Sequence, residues 1–505
     1  MKTYINKIKE HTGQEVTLEG WVANKRTGKG IVFIILRDGS GFLQCVVSQN
    51  AVSPADFENA EKLTLESSLA VTGKVVQDDK QEGGHELQVT RLKVYSIAED
   101  YPIAKKEHGV EFLMDHRHLW LRSRRQWAIM RVRNRIIHSI HRFFQDRGFM
   151  HMDAPIFTEN ASEGTSTLFE TDFYGQPAYL SQSGQLYGEA MAFAQGLIYT
   201  FGPTFRAEKS KTRRHLSEFW MMEPEMAFYD NDMNMDLIEE MLRYLIRDAV
   251  THCRTELEMA ERDISMLEKA DGKFPRMTYD EAVKIIRGEQ AVNGKISIAV
   301  LEEDLKELNQ KIADAKREIK EREAKVNSGT LKKGEVNFNI NAIGKLKAAI
   351  HGMEERAENI PQWIQSAKNF RYGNDFGGSD ETVLTRLFDT PIMVYNWPRE
   401  IKAFYMKRDD TGRFAKGVDV LAPEGFGEIV GGGERETNKD YLIEQINTHK
   451  LPMKAFGWYL DLRRYGSVPH AGFGLGLERF IAYICGLHHV RETIPFPRMY
   501  GRLSP

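Results

Sequence analysis

Between Phe205 and Phe228 the chain packs five cations (Arg206, Lys209, Lys211, Arg213, Arg214), His215 and four carboxylates (Glu208, Glu218, Glu223, Glu225) among apolar residues. Cations held on a rigid strand can neutralise a polyphosphate, and carboxylates beside them suit an ammonium group or Mg²⁺. The flanking segments YLSQ and IYTFGPTFRAE are rich in aromatic and β-branched residues and read as strands, which makes the polar middle a hairpin loop over a sheet. A solvated, charge-alternating surface turn would share this composition. The spacing favours a site, because Arg206 and Glu208 would share one strand face while Phe219 resumes the apolar pattern.

Two further stretches carry residues of the same chemistry. GVDVLAPEGFGEIVGGGER at 417–435 contains Asp419, Glu428 and Arg435, and HAGFGLGLERFIAYICGL at 470–487 contains Arg479. Hard carboxylate oxygens suit Mg²⁺, which keeps several waters and bridges substrate phosphates. No GxxxxGK[ST] run occurs, and the clusters GGG (431–433) and GFGLG (472–476) do not fit a dinucleotide fingerprint. Their glycines let backbone approach a substrate or pack tightly.

These segments resemble motifs 2 and 3 of the class II aminoacyl-tRNA synthetases, in the form used by the aspartyl/asparaginyl/lysyl subgroup. GFMHMDAPIFTENASEGTSTLF at 148–169 resembles motif 1, with Pro155 at the dimer edge, followed by a mobile loop that closes over the amino acid. The resemblance implies a homodimer that uses ATP and Mg²⁺. It places Arg206 on the α-phosphate, Glu208 near the adenine or the amino acid, and Arg214 and His215 on the terminal phosphates. Phe219 would stack on adenine, with Arg479 over the nucleotide. Glu428 would be the principal Mg²⁺ ligand and Asp419 a second; where the family often has a serine ligand, this chain has Gly431. Activation needs no general base, since an α-carboxylate is already ionised at pH 7. The work is positioning and charge neutralisation.

Aspartate and asparagine are isosteric, so charge and hydrogen-bond polarity must separate them. By the resemblance, Arg435 grips the side-chain carbonyl oxygen for either amino acid. The aspartyl enzymes add a lysine where this chain has Gly188, and keep an aspartate where it has Glu223. Losing that cation while keeping carboxylates penalises a charged substrate and offers acceptors to an amide NH₂. An unpaired buried carboxylate costs on the order of several kcal/mol. The chain therefore resembles the asparaginyl branch, with Ser162, Glu163 and Gln185 holding the ammonium end; Glu163, Glu189, Glu223 and Glu225 remain alternative acceptors for the amide. The implied reaction is ATP-dependent formation of asparaginyl-adenylate, then transfer to the 3′-terminal ribose of tRNA(Asn). An aspartyl enzyme charging one or both tRNAs, an asparagine-forming relative and a non-enzymatic tRNA-binding paralogue are the alternatives.

These residues need elements to position them. Residues 1–103 alternate in short strand-like pieces split by GKG, DGSG and DDKQEGG, which suggests a small β-barrel. Phe33 and Gln44 stand on consecutive strands there, with Lys25, Arg26 and Arg37 close by in sequence. Aromatic faces stack bases, amides read base edges and cations hold phosphates. The pattern resembles the subgroup's OB-fold anticodon-binding domain, which implies anticodon contacts for Phe33, Gln44 and Arg26. A hinge is expected at 104–122, then a class II catalytic domain at 123–505: an antiparallel sheet flanked by helices, α+β overall. The arginines of the first long helix could be a solvated face or could touch phosphate.

Within that domain, 289–368 departs from the family pattern, which runs more directly from a TYDEAV-like helix to a PREIKAFYM strand. Leu301, Leu305, Leu308, Ile312, Ala315, Ile319 and Val326 follow heptad spacing, and Ile343, Leu346, Ile350, Met353, Ala357 and Ile360 repeat it after a polar turn. That predicts an antiparallel helical hairpin, read as a solvated insertion or else a tRNA or partner contact, since it mixes Lys and Glu with no clean basic face. Length fits this plan: 505 residues imply three to four domains at about 150 each. A net charge of −3 gives no global field for nucleic acid, so tRNA would need local basic patches. Three cysteines without CxxC spacing indicate neither zinc nor disulfides, and no apolar run reaches membrane-spanning length. A soluble, cytoplasmic protein is expected.

Overall fold

The computed structural model describes residues 1–104, 106, 108–159 and 168–505. The chain forms two compact units, Met1–Leu113 and Met114–Pro505. In the first, β1 (Glu15–Gly28), β2 (Ile31–Arg37), β3 (Phe42–Ser48), α1 (Pro54–Lys62), β4 (Ser68–Gln77) and β5 (His85–Ser96) build a closed barrel in the order β1-β2-β3-β5-β4. Strand alternation decides which side chains fill it: Val32, Ile34 and Leu36 of β2 point inward with Leu43, Cys45 and Val47 of β3. The odd-numbered neighbours Ile31, Phe33 and Ile35 are left on the outer face, only half-buried.

The second unit opens with α2 (Arg124–Gln145), capped by the Ser123 hydroxyl accepting from the Gln126 N–H at 3.4 Å. There follow β6 (Met150–Met152), β7 (Phe157–Thr158), β8 (Glu170–Phe173), β9 (Gln176–Leu180), α3 (Gln185–Gln195), β10 (Leu197–Phe205), β11 (Glu218–Ala227) and α4 (Asn231–His252). Next come β12 (Arg276–Thr278), α5 (Tyr279–Ile286), α6 (Ser297–Asn327), α7 (Lys333–Asn369), α8 (Gly378–Thr385), β13 (Ile392–Pro398), β14 (Phe414–Ala422) and β15 (Gly427–Glu434). The unit closes with α9 (Gly457–Arg464), β16 (His470–Gly476) and α10 (Leu477–Cys485). Eight strands form one sheet in the order β12-β13-β14-β15-β16-β11-β10-β6. The pairs from β13 to β10 are antiparallel, and the outer strands β12 and β6 join in parallel. A small sheet β7-β9-β8 stands apart.

The core lies between the large sheet and α2, α4 and α10, where Ile136, Ile140, Leu242, Leu245, Phe480 and Ile481 meet Met222, Val420 and Leu475. Three of the arginines of α2 are held in ion pairs to other helices or segments, while Arg124 and Arg142 are exposed. Arg133 pairs with Glu478 at 2.7 Å, Arg135 with Asp248 at 2.6 Å and Arg131 with Glu256 at 3.2 Å. Inside the segment expected as a hinge, Val110–Asp115 and Arg117–Trp120 are helical. Arg117 is fully buried, its guanidinium donating to the carbonyls of Pro495 and Ile494.

Two local expectations differ from the structure. β10 ends at Phe205, so Arg206 and Glu208 lie in the loop beyond it rather than on a strand face. One more ladder bond, Arg206 N–H to Ser217 C=O at 3.0 Å, is made before the two arms part. PREIKAFYM is not a strand either, for β13 stops at Pro398 and Arg399–Ile401 turns as a 3₁₀ helix. A proline cannot donate to the ladder, so the strand ends there. The helical hairpin is present as α6 and α7, with Leu308, Ile312, Ile319, Ile350 and Ile360 buried along the seam.

Candidate active site

A cleft of about 590 Å³ opens over β11, β14, β15 and β16, and residues from widely separated segments line it. Arg206, Glu208, Arg214, His215, Phe219, Gln185, Glu223, Asp419, Glu428, Arg435 and Arg479 all face this one space. Gly188 does not line it. It sits on α3 behind the wall, where a Cβ would stand 3.2 Å from Glu225 Cγ. Ser162 and Glu163 lie outside the described residues.

At the cationic end, the Arg206 guanidinium lies 5.5 Å from the Phe219 ring centre. Arg214 reaches across to donate from Nη1 to Glu381 on α8 and from Nη2 to the Gly425 carbonyl, each at 2.5 Å. Burial pushes the Glu381 carboxyl up to about 7 against the pull of Arg214. Arg479, at the start of α10, donates to the Glu428 carboxylate and backbone carbonyl at 3.1 Å each and to the Arg214 carbonyl at 3.4 Å. His215 stands 3.7 Å from Glu208, and burial, with Arg479 nearby, lowers its pKa. It is therefore neutral near pH 7 until further negative charge arrives.

β14 and β15 bring Asp419 opposite Gly431, close along the strand to Glu428. A Cβ on Gly431 would lie 2.8 Å from Glu428 Oε1 and 3.6 Å from Asp419 Oδ1, so the missing side chain lets two hard oxygens converge. The other oxygen of each is already held by a cation: Asp419 Oδ2 by Lys402 at 2.5 Å, Glu428 Oε2 by Arg479. Burial pushes Asp419 up to about 7 although Lys402 opposes it. Among the described residues no group of three or more His, Cys, Asp or Glu side chains is arranged to hold a metal. Two converging carboxylates fit Mg²⁺, which takes its remaining ligands from phosphates and water.

The opposite end is a closed pocket lined by ionisable groups. Arg435 donates to Glu225 from Nη2 at 2.5 Å and Nε at 3.2 Å, and both side chains are almost fully buried. Burial pushes Glu225 up to about 8 against the opposing charge of Arg435, with Glu189 and Glu223 adding to the rise. Behind it Glu189 accepts from Arg463 at 2.7 Å, the Tyr459 hydroxyl at 2.9 Å and Gln185 at 3.1 Å, and meets His470 Nε2 at 2.9 Å. Burial would raise Glu189, but Arg463 and His470 hold it below the usual carboxylate range. Glu223 accepts from the Gly184 N–H at 2.8 Å and from the Ser183 hydroxyl. The glycines of β15 and β16 serve this packing. A Cβ on Gly472 would fall 2.3 Å from the Glu225 carboxyl carbon, and one on Gly432 would fall 2.5 Å from the Gly472 carbonyl oxygen.

On the barrel's outer face, strand register sets Asn24, Ile35, Gln44 and Glu86 in one cross-strand row, with Arg26, Phe33, Val46 and Gln88 in the next. Gln44 donates to Glu86 at 3.0 Å, Phe33 is half-buried and Arg26 is exposed. Arg37 is committed elsewhere, paired with Glu66 by two bonds of 2.8 Å, and Lys25 donates to the Glu61 carbonyl.

Sequence reasoning missed Lys402, Asp375 and Glu381 as parts of the cleft surroundings, and the buried partners Arg463, Tyr459 and His470. Lys402 lay in PREIKAFYM as a cation set between Ile401 and the apolar run AFYM, which was a usable signal; Glu381 and Asp375 had none, being placed by a helix and loop after the long hairpin.

A profile of the family described as tRNA synthetases class II (D, K and N) matches residues 109–500, and one of the OB-fold nucleic acid binding domain matches residues 16–95. The asparagine–tRNA ligase of Sorangium cellulosum is 48% identical over 500 residues, covering 99% of this chain and 98% of that protein. That of Deinococcus deserti is 46% identical over 510 residues, covering 100% of both. The crystal structure of asparaginyl-tRNA synthetase from Pyrococcus horikoshii complexed with asparaginyl-adenylate is similar with a TM-score of 0.82 at 35% identity, covering 100% of each chain.

Proposed function

This chain belongs to the class II tRNA synthetases (D, K and N), and from that membership we propose how its residues carry the work of an asparagine–tRNA ligase. The enzyme activates asparagine with ATP to asparaginyl-adenylate, releasing pyrophosphate, and transfers the aminoacyl group to the 3′-terminal ribose of tRNA(Asn), releasing AMP.

Asparagine lies with its side chain in the closed pocket. Arg435 donates to the amide oxygen and Glu225 accepts from the amide NH₂; this buried pair, with no cation at Gly188, is the observation that carries the amide reading. Gln185 has its own NH₂ committed to Glu189 and offers its oxygen to the substrate ammonium, with Glu223 as a second acceptor. The α-carboxylate then attacks the α-phosphorus. Arg206 neutralises the α-phosphate as the transition state gains charge, while Arg214, pre-positioned by Glu381, and His215 take the terminal phosphates. The adenine slots between Phe219 and Arg479. Glu428 and Asp419 would hold Mg²⁺, which supplies charge neutralisation on the phosphates. In the second step a ribose hydroxyl attacks the adenylate carbonyl and AMP leaves.

Phe33, Gln44 and Arg26 form the anticodon contact of the barrel. The outer strand β6 and the segment leading into β7 expose Met150, Ile156 and Phe157, each at least 44% accessible, and this apolar edge supports a homodimer. No helix among the described residues is long and apolar enough to cross a membrane, and all three cysteines are buried thiols, which supports a cytoplasmic location.

ATP–pyrophosphate exchange without tRNA tests this directly. Asparagine alone should support exchange. Exchange with aspartate at an equal or higher rate would overturn the roles of Glu225 and Arg435, and none with either would overturn the ligase reading.

A further inference from the structure

The helical hairpin is charge-segregated along its length, which its face-by-face mixture of Lys and Glu conceals. Its basal halves, 297–315 and 348–369, hold four Lys and Arg against eight Asp and Glu, whereas the distal stretch 316–347 holds nine against four. Ion pairing does not cancel this. In the distal stretch Lys316, Arg317, Arg322 and Lys347 each have a carboxylate partner. Lys320, Lys325, Lys332, Lys333 and Lys345 have none among the described residues, and all five are exposed. Only Glu321 and Glu335 remain there without a cation, and Glu335 accepts from the Lys332 N–H at 2.8 Å.

Three of these lysines, 325, 332 and 333, cluster around the turn joining α6 to α7. There the N-terminus of a 37-residue helix adds its partial positive charge. Phe338, in the second turn of α7, is 67% exposed with Arg322 5.9 Å from its ring. Cations around an exposed aromatic suit a phosphate backbone with a base to stack. The acidic base, in contrast, repels such a backbone and is anchored inward: Asp304 of α6 pairs with Arg386, just after α8, at 2.5 Å, and Ser366 of α7 donates to Asp380 of α8 at 2.9 Å. The helix runs on from Asp304 to Asn327, which carries the tip about 35 Å from that anchor.

We propose that the hairpin is a tRNA-binding arm whose basic tip holds the phosphate backbone while its acidic base fixes the arm to the catalytic unit. This rests on the ligase reading, which supplies tRNA as the partner. The arm adds affinity and not sequence readout, since phosphate contacts position without specifying.

The test is a variant with Lys320, Lys325, Lys332, Lys333 and Lys345 all changed to Gln, beside one with all five changed to Arg. Dissociation constants for tRNA(Asn) are measured across a salt series, together with asparagine-dependent exchange and circular dichroism. The Gln variant should bind tRNA at least tenfold more weakly near 0.1 M salt, with a slope of log K against log salt shallower by roughly 0.7–0.9 for each phosphate that is no longer neutralised. Its exchange rate and spectrum should be unchanged, and the Arg variant should bind like the parent. Unaltered affinity and slope in the Gln variant would overturn the arm. Absence of asparagine-dependent exchange in the parent would overturn the ligase reading, and the arm with it.

Discussion

At the scale of single residues, the proposed selectivity depends on the proton of Glu225. Glu225 is the stronger acceptor for an amide when ionised; when protonated it can also donate to a carboxylate, which is what aspartate would need. Burial raises this group to about 8, so both forms are accessible near neutrality. The ratio of protonated to ionised Glu225 changes about tenfold per pH unit. The ratio of aspartate- to asparagine-dependent exchange should therefore climb as pH falls from about 9 to about 6. Glu225→Gln should flatten that dependence while lowering asparagine activation, because Arg435 is left without its anion in a dry site, a loss of about 3–5 kcal/mol. A selectivity ratio independent of pH in the parent would remove Glu225 from the discrimination.

At the scale of elements, the site depends on how closely β16 approaches β11. Gly472 lies opposite Glu225 in the ladder, and its lack of a side chain is what admits the carboxylate. Gly472→Ala would force β16 or Glu225 to move, at about 1–3 kcal/mol of overpacking. We expect a lower melting temperature and a rise in KM for asparagine that exceeds any rise for ATP. The phosphate side is built from other groups, so equal effects on both would mean that the whole sheet had shifted. α10 is fixed independently, for Glu478 accepts from the Trp220 N–H at 2.9 Å and pairs with Arg133 of α2. That anchorage keeps Arg479 facing the cleft.

At the scale of the molecule, every residue of the cleft belongs to the unit Met114–Pro505, and the barrel residues Phe33, Gln44 and Arg26 belong to Met1–Leu113. Activation and anticodon reading should then separate experimentally. Gln44→Ala should lower kcat/KM for charging tRNA(Asn) by about tenfold to a hundredfold, since a good base contact contributes about 1–3 kcal/mol. It should leave ATP–pyrophosphate exchange at the parental rate. Unchanged charging would take Gln44 out of the anticodon site; reduced exchange would point to misfolding of the barrel.

The sequence by itself determined the local pieces. Short alternating strands split by turn signals gave the barrel, heptad spacing gave the hairpin, and charge density marked the loop after Phe205 as a candidate site. These signals are legible because they depend on neighbours a few residues apart, where side-chain direction follows backbone period. Only the tertiary structure decided which carboxylate faces Arg435. Glu189, Glu223 and Glu225 are equivalent by composition, yet Glu189 is claimed by Arg463, Tyr459 and His470, and Glu223 is held by Ser183 and Gly184. Glu225 meets Arg435 from a strand 210 positions away in the chain. Such long-range assignments, like Lys402 on Asp419 and Glu381 on Arg214, depend on register and packing between distant segments, and no local pattern encodes them.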